Sequence, residues 1–150
     1  MHVLTSRNTH TALALDSRVQ GYVGIREMHA PLVSAVHGAM VGGAAAMFLQ
    51  TDLRIAESKA TFQHGNLSRG VCPLAGYSRT LQVAVGTPHA AAYYLTDDKH
   101  TSATALALGL VHAVRAGVSK VQQGARSLGR DVPHSLTAGP QFQHDDVIVA

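Results

Sequence analysis

The paired glycines Gly42 and Gly43 have the clearest chemical potential in the sequence. They follow Leu32–Val36, whose β-branched residues are typical of a buried parallel strand, and they precede Ala44–Gln50, which is rich in strong helix formers. A helix that begins on two glycines leaves backbone N–H groups unpaired and lets a bulky group approach the backbone closely. Such a turn can bind a phosphate or donate to a carbonyl oxygen that gains negative charge during a reaction. Close packing of the helix would explain the glycines at least as well.

A second group of polar side chains lies in the glycine-punctuated loop predicted for His64 to Gly76. The His64 imidazole, with an ordinary pKa near ~6.5, suits proton transfer, although an ordinary loop histidine would look the same. Asn66 can hold a water or a carbonyl but cannot act as a base, and asparagine is also a common turn residue. Tyr77, which begins the next predicted helix, could donate a proton or simply pack. Cys72 has no visible activating partner, so we expect it to be a small buried hydrophobe.

The charged residues give weaker indications. The chain has twelve Lys+Arg and nine Asp+Glu, and the resulting formal charge of +3 is too small and too scattered to predict nucleic-acid binding. We interpret Asp52 and Arg54 as a structural pair. Arg69 or Lys99 could meet phosphate groups, but a solvated surface charge is the simpler interpretation.

Composition excludes several classes of protein. The ten histidines are dispersed, without HExxH or H-x-x-x-H spacing, so no metal site is predicted. A single cysteine excludes an intramolecular disulfide. No apolar run approaches the ~20 residues of a membrane span, and the first residues lack the basic and apolar parts of a secretory signal. With 150 residues, 46% of them hydrophobic, one folded cytoplasmic domain is expected.

These residues need strands and helices to position them, and the pattern alternates between the two. Besides the strand and the helix that flank the paired glycines, we predict strands at Asp52–Ala56, Thr61–Gln63 and Leu110–Val114, and helices at Val19–Met28, Tyr77–Val85, Pro88–Leu95, Thr101 or Ser102 to Leu108, and Val118–Leu128. Glycines and prolines separate these elements. Short strands that alternate with helices are typical of an α/β fold with parallel strands.

Five segments, in this order, resemble the crotonase (enoyl-CoA hydratase/isomerase) superfamily. They are APLVSAVHGAMVGG at 30–43, DLRIAESKATF at 52–62, GVCPLAG at 70–76, LTDDK at 95–99 and ALGLV at 107–111. Residues 31–114 follow the family pattern without a gap, which is far more specific than any one motif. The stretch HGNLSRGVCP at 64–73 is further similar to the branch associated with polyketide assembly.

The resemblance implies stacked ββα units with short parallel strands, usually assembled as trimers. It also implies an acyl thioester as substrate, carried by coenzyme A or by an acyl carrier protein, and no other cofactor. Gly43 would supply one of two backbone donors to the thioester oxygen. The segment that supplies the other donor is not recognisable in residues 1–16, so the N-terminal repeats are expected to be missing. We therefore divide the chain into a lead-in and helix at 1–28, a partial crotonase-like core at 29–128, and an irregular tail at 129–150.

Two positions depart from the family's hydratases, which use two glutamates. Ala46 and Asn66 stand at the matching positions, so water addition by two carboxylates is not expected. His64 is then the first candidate for proton transfer, with Asn66 beside it. Four residues are expected to contact the substrate: Gly42, Ala46, Pro73 and Tyr77.

Two functions follow from the resemblance. In the first, which we favour, the protein is a lyase or isomerase that stabilises a thioester enolate, as a dehydratase, a decarboxylase or an isomerase. In the second, it is a non-catalytic, truncated module that binds an acyl carrier or oligomerises. In both, the partners are an acyl-CoA or an acyl carrier protein and further copies of the chain, without nucleic acid or membrane. Missing repeats would expose apolar strand faces, so we expect self-association.

Overall fold

Short strands and helices alternate along the part of the chain that the computed structural model describes, which is residue 24, residues 32–73 and residues 76–130. The side chains of residues 128–130 are outside this description. In chain order the elements are β1 (Val33–Val36), β2 (Ala39–Val41), α1 (Gly43–Phe48), β3 (Leu53–Glu57), β4 (Thr61–Gln63), α2 (Tyr77–Val85), α3 (Thr87–Thr96), β5 (His100–Thr101), α4 (Ser102–Ala107), β6 (Ala113–Arg115) and α5 (Val118–Arg130). The predicted α/β class with short parallel strands is confirmed.

The predicted lead-in and tail fall almost wholly outside the described residues. Gly24 is helical, and the rest of the predicted helix Val19–Met28 lies outside them. Residues 131–150 lie outside them as well. At its C-terminal end α5 continues to Arg130, two residues into the segment predicted to be an irregular tail.

Two three-stranded sheets form the frame. In one sheet β3 lies between β1 and β6, and the three strands are parallel. In the other, β4 lies between β2, which is parallel to it, and β5, which is antiparallel. The register pairs Val41 with Gln63, so β2 and β4 end side by side. The turn that follows β2 is therefore a neighbour of the loop that follows β4.

The apolar side chains divide into two clusters. Val33 of β1 and Ile55 of β3 pack with Val121 and Ala125 of α5 in the smaller cluster. The larger cluster gathers apolar residues of β4 and of helices α1 to α4 around Phe62, which is fully buried. The Phe62 ring packs against that of Phe48, with centroids 5.8 Å apart. These contacts hold α1 and α2 against the end of β4, because burial of aromatic rings dominates the packing energy.

The strand β2 was not predicted, because residues 37–43 read as one tight turn. The chain bends at Gly38, which has φ 73°, and then extends again through Ala39–Val41. The backbone N–H of Thr61 donates to the Gly38 carbonyl oxygen at 2.9 Å, and the β2–β4 ladder continues from there. A three-residue strand has little local signal, and only its pairing with β4 makes it a strand.

The last strand is shifted from its predicted position, Leu110–Val114, to Ala113–Arg115. The backbone N–H groups of Leu110 and Val111 instead donate to the carbonyl oxygen of Ala105, at 2.8 and 3.3 Å. Both side chains are buried as the chain leaves α4. The apolar pattern there reflects packing against the core rather than strand pairing.

The helix boundaries agree closely with the sequence signals. Helix α2 runs from Tyr77 to Val85 and is followed by Gly86, as predicted. The Thr101 side chain caps α4 by accepting from the Thr104 N–H at 3.2 Å, which is the predicted N-cap arrangement. The strand Thr61–Gln63 is confirmed without a change of boundary.

Candidate active site

A cavity of about 140 Å³ lies where the turn between β2 and α1 meets the loop after β4. Its lining includes Gly42, Gly43, Ala46, Gly65, Asn66, Arg69, Cys72 and Tyr77. The fold thus brings together most of the residues that the sequence singled out. Two predicted site residues are exceptions, since neither His64 nor Pro73 belongs to the lining.

The glycine turn adopts a conformation that few other residues could adopt. Gly42 has φ 59° and ψ −115°, in the region that favours glycine. Its N–H donates to the His64 carbonyl oxygen at 3.0 Å, and its own carbonyl oxygen accepts from the Ala46 N–H at 3.0 Å. Gly43 follows as the first residue of α1, where the helix offers no carbonyl acceptor for the backbone N–H. The predicted donor therefore stands at the cavity wall.

The loop after β4 approaches the glycine turn closely at Gly65. Gly65 has φ 70°, and a Cβ atom there would lie within 3.0 Å of both Val41 Cγ1 and Arg69 Nη1. Asn66 follows and is buried. Its Oδ1 atom would be 3.4 Å from a Cβ on Gly42, so the amide lies over the glycine turn. Asn66 is therefore placed to contact a group bound in the cavity.

Asp97, just after α3, holds this loop from the other side. Its Oδ1 atom accepts from the Gly65 N–H at 2.5 Å, and its Oδ2 atom accepts from the Ser68 hydroxyl. Its carbonyl oxygen accepts from the Gln63 side-chain amide at 3.0 Å. The Ser68 and Gly65 hydrogen bonds hold the pKa of Asp97 below its ordinary value. Sequence reasoning missed this residue, because nothing in the sequence distinguishes it from the adjacent Asp98.

His64 points away from the cavity. It follows Phe62 at a spacing of two, and both side chains enter the core, with His64 only 1% exposed. Its ring stacks on that of Tyr77, with centroids 4.5 Å apart and planes 14° apart, and meets Tyr94 edge-on at 4.8 Å. Burial lowers its pKa, which the Asp97 charge opposes, so the neutral form is favoured. The imidazole thus stacks on Tyr77 without lining the cavity, and its role in proton transfer stays a prediction.

The Tyr77 phenol is buried and neutral. The residue is 1% exposed and belongs to the cavity lining. Its hydroxyl finds no hydrogen-bond partner within the described part of the chain. Burial raises the pKa of Tyr77 far above its ordinary value, so the phenol keeps its proton. The predicted position of Tyr77 at the substrate site agrees with this lining.

Cys72 differs from its predicted surroundings, whereas Arg69 is exposed, as its simpler interpretation predicted. Cys72 is exposed and lines the cavity, so its prediction as a buried hydrophobe is wrong. The Val71 N–H closes a turn onto the Asn66 carbonyl oxygen at 2.9 Å, which leaves the following residues at the rim. Arg69 donates from Nη1 to the Gly65 carbonyl oxygen at 3.2 Å and brings a cation to the cavity wall.

Asp52 and Arg54 satisfy backbone groups away from the cavity. The Asp52 carboxylate accepts from the Leu32 N–H at 2.8 Å. Arg54 is buried, and its guanidinium donates to the carbonyl oxygens of Leu110 and Thr51, each at 2.8 Å. Burial lowers the pKa of Arg54, and the nearby Asp52 charge opposes this. Both residues therefore have structural roles, as predicted.

The described residues offer neither a cluster of metal ligands nor a membrane-spanning helix. No group of three or more His, Cys, Asp or Glu side chains in the ranges described above could hold a metal ion. Within the same ranges, every helix is too short or too polar to cross a bilayer.

The order of the motifs, the two sheets and the glycine-lined cavity define a crotonase-type protein. The profile of the enoyl-CoA hydratase/isomerase family matches residues 2–142, nearly the whole chain, so this protein belongs to that family. The resemblance found on residues 31–114 is confirmed, and the matched range extends past it at both ends.

Individual relatives agree with this assignment. The chain is 32% identical over 107 residues to a probable enoyl-CoA hydratase of Mycobacterium tuberculosis, and the aligned part covers 71% of this chain and 38% of that protein. It is 31% identical over 107 residues to a crotonyl-CoA hydratase of Syntrophomonas wolfei, and the aligned part covers 67% of this chain and 41% of that protein. This chain therefore spans less than half the length of these two relatives.

Solved structures share the fold. A probable enoyl-CoA hydratase/isomerase from Mycobacterium abscessus is similar with a TM-score of 0.72 and 26% identity, covering 83% of this chain and 47% of that one. Pseudomonas aeruginosa DspI is similar in fold with a TM-score of 0.77 and 24% identity, covering 91% of this chain and 52% of that one. The predicted crotonase-like fold is confirmed.

Proposed function

We propose that this protein binds an acyl thioester in the cavity, with the thioester oxygen directed at the backbone N–H of Gly43. The observation that carries this proposal is the placement of Gly43, at the start of α1, in one cavity wall with Asn66. Membership of the enoyl-CoA hydratase/isomerase family supports a thioester as the ligand. Relatives named as crotonyl-CoA and 2,3-dehydroadipyl-CoA hydratases support coenzyme A as one carrier.

The proposed chemistry is stabilisation of an enolate or oxyanion on the thioester. A backbone N–H directed at an oxygen that gains negative charge is worth about 3–4 kcal/mol in the transition state. The Asn66 amide can donate a further hydrogen bond in the same cavity, whereas the buried Tyr77 hydroxyl would have to turn toward it first. Among the described residues that line the cavity, none carries a carboxylate. Decarboxylation, isomerisation, or a dehydration whose acid and base are other groups therefore fits better than hydration or dehydration by two carboxylates.

His64 stays our candidate for a proton-transfer step, in an indirect position. Its ring is stacked on Tyr77 rather than directed into the cavity. It can influence the reaction by holding the Tyr77 ring, or by reaching the ligand after a change of side-chain conformation. Both routes predict a loss of turnover when His64 is replaced.

An acyl carrier protein is the second carrier we propose, in line with the sequence similarity of residues 64–73 to the polyketide-associated branch. The exposed apolar side chain of Val71 and the cation of Arg69 both belong to the cavity lining, where they would meet the apolar arm and the phosphate of a carrier. Comparison of crotonyl-CoA with the crotonyl thioester of an acyl carrier protein tests this point. Self-association as a trimer is a further proposal, which sedimentation equilibrium measures directly.

Replacement of Gly43 tests the proposed donor. Proline is accepted at the first position of a helix and removes the N–H, whereas alanine adds a similar Cβ and keeps the N–H. We expect Gly43→Pro to reduce turnover of the accepted acyl thioester by about 10²–10³-fold relative to Gly43→Ala. Circular dichroism checks that both variants keep their helices. Equal turnover of the two variants would show that the Gly43 N–H is not the donor.

A non-catalytic module is the second function we consider, because the described cavity lining offers no carboxylate. Titration calorimetry with crotonyl-CoA and with free coenzyme A measures binding, and chromatography of the incubated thioesters measures turnover. Selective binding without turnover of several acyl thioesters would favour the module. Hydration of crotonyl-CoA at the rate of a competent hydratase would contradict our argument from Ala46 and Asn66.

A further inference from the structure

Asp97 lies outside the loop after β4 and is, within the described part of the chain, the one such residue that hydrogen-bonds two polar groups of the loop. Its two carboxylate oxygens accept from the Gly65 N–H and from the Ser68 hydroxyl. These two groups flank Asn66 in the sequence. Hydrogen bonds to an ionised carboxylate are about twice as strong as those between neutral groups. The segment that presents Asn66 to the cavity is therefore fixed at both of its ends by one side chain.

Asp97 follows α3 in a left-handed conformation that few non-glycine residues adopt, although aspartate tolerates it better than most. Asp97 has φ 53°, and it is the one non-glycine residue with a positive φ in the described part of the chain. A left-handed conformation costs an L-residue free energy, and it persists only where surrounding contacts impose it. The contacts here are the two carboxylate hydrogen bonds and the bond from Gln63 to the Asp97 carbonyl oxygen. Glycine would adopt this conformation more easily but would lack the carboxylate.

Gly65 is confined between Asp97 and β2. On one side its N–H donates to Asp97, and on the other its Cα faces Val41 so closely that no Cβ atom would fit. Release of the Asp97 hydrogen bonds would let Gly65 retreat from β2. Asn66 would then move relative to Gly42 and Gly43, and the cavity would change its shape.

We propose that Asp97 is the positioning residue of this site: its carboxylate holds the loop of residues 64–70 so that Asn66 and Gly43 can bind one ligand together. The proposal rests on the proposed function for the nature of that ligand. Asp97 itself is not part of the described cavity lining, so it acts through Gly65 and Ser68.

Three variants test this proposal. Asp97→Gly removes the carboxylate, and the easier positive φ of glycine offsets part of the stability lost with the two hydrogen bonds. Asp97→Asn keeps an oxygen that can accept from the Gly65 N–H, and asparagine tolerates a positive φ. Asp98→Gly is the matched control, because it removes the adjacent, exposed carboxylate.

The measurements are crotonyl-CoA affinity by titration calorimetry, the melting temperature, and hydrogen exchange of the Gly65 amide by NMR. We expect Asp97→Gly to weaken crotonyl-CoA binding at least about tenfold and to accelerate Gly65 exchange at least about tenfold, by more than any fall in the melting temperature accounts for. Asp97→Asn should retain most of both properties, and Asp98→Gly should match the wild type. A role limited to overall stability would lower the melting temperature and would not single out Gly65.

Unchanged affinity or unchanged Gly65 exchange in a folded Asp97→Gly variant would overturn the proposal. If Asp97→Gly does not fold, Asp97→Asn provides the test. Wild-type Gly65 exchange in Asp97→Asn together with weakened crotonyl-CoA binding would contradict a positioning role. If the wild type binds no acyl thioester, the proposed function is wrong. In that case Gly65 exchange is the remaining measurement. Accelerated exchange in Asp97→Gly would support the positioning of the loop, and unchanged exchange would refute it.

Discussion

Replacement of Gly65 by alanine should destabilise the protein by about 2–5 kcal/mol, from two separate causes. The backbone at Gly65 has φ 70°, and a left-handed conformation costs an L-residue about 1–2 kcal/mol. In addition, the new Cβ would lie within 3.0 Å of Val41 Cγ1, and overpacking of this kind costs about 1–3 kcal/mol. The nearby Arg69 guanidinium can move aside, but Val41 is fixed by the pairing of β2 with β4. Urea denaturation monitored by circular dichroism measures the free energy of unfolding.

The matched control is Gly70→Ala in the same loop. Gly70 has φ 62°, but a Cβ there meets nothing within 4 Å, so this variant should lose only the backbone cost of about 1–2 kcal/mol. A double-mutant cycle with Val41→Ala isolates the steric contribution, because shortening Val41 opens the space that the new Cβ needs. If Gly65→Ala costs no more than Gly70→Ala, or if Val41→Ala gives no coupling, the close approach of loop and strand is refuted.

The remaining predictions concern two histidines. His64→Gln should remove most of the turnover of any accepted acyl thioester, because the ring that stacks on Tyr77 is lost; an unchanged turnover would eliminate His64 from the mechanism. His112 Nδ1 accepts from the backbone N–H of Arg54 at 3.0 Å, and partial desolvation, aided by the Arg54 charge, lowers the pKa of this exposed side chain. The pKa of His64 is lowered as well. Both histidines therefore take up protons at a higher pH in the unfolded chain than in the folded chain. The free energy of unfolding should consequently fall as the pH falls below about 6.5. His112→Asn should reduce this pH dependence, and a free energy of unfolding that is constant between pH 7 and 5 would contradict both assignments.

The sequence by itself determined the order and type of most elements, because their signals are local. Helix α2 lies between Gly76 and Gly86, and a threonine caps α4 at its predicted end. The motifs also identified the family, since their fixed order and spacing reflect one shared backbone. Gly43 could be assigned to the start of a helix because a glycine pair before an alanine-rich run has few other structural uses.

Only the tertiary structure decided which side chains reach the cavity. His64 and Asn66 are two residues apart in one loop, yet the first enters the aromatic core and the second lies over Gly42. Asp97 and Asp98 are adjacent and identical in type, but only Asp97 is held at φ 53° with its carboxylate on the loop. These outcomes depend on contacts between segments distant in the sequence, and the pairing of β2 with β4 brings those segments together. Composition and local pattern describe one segment at a time, so they carry no information about which partner each side chain will meet.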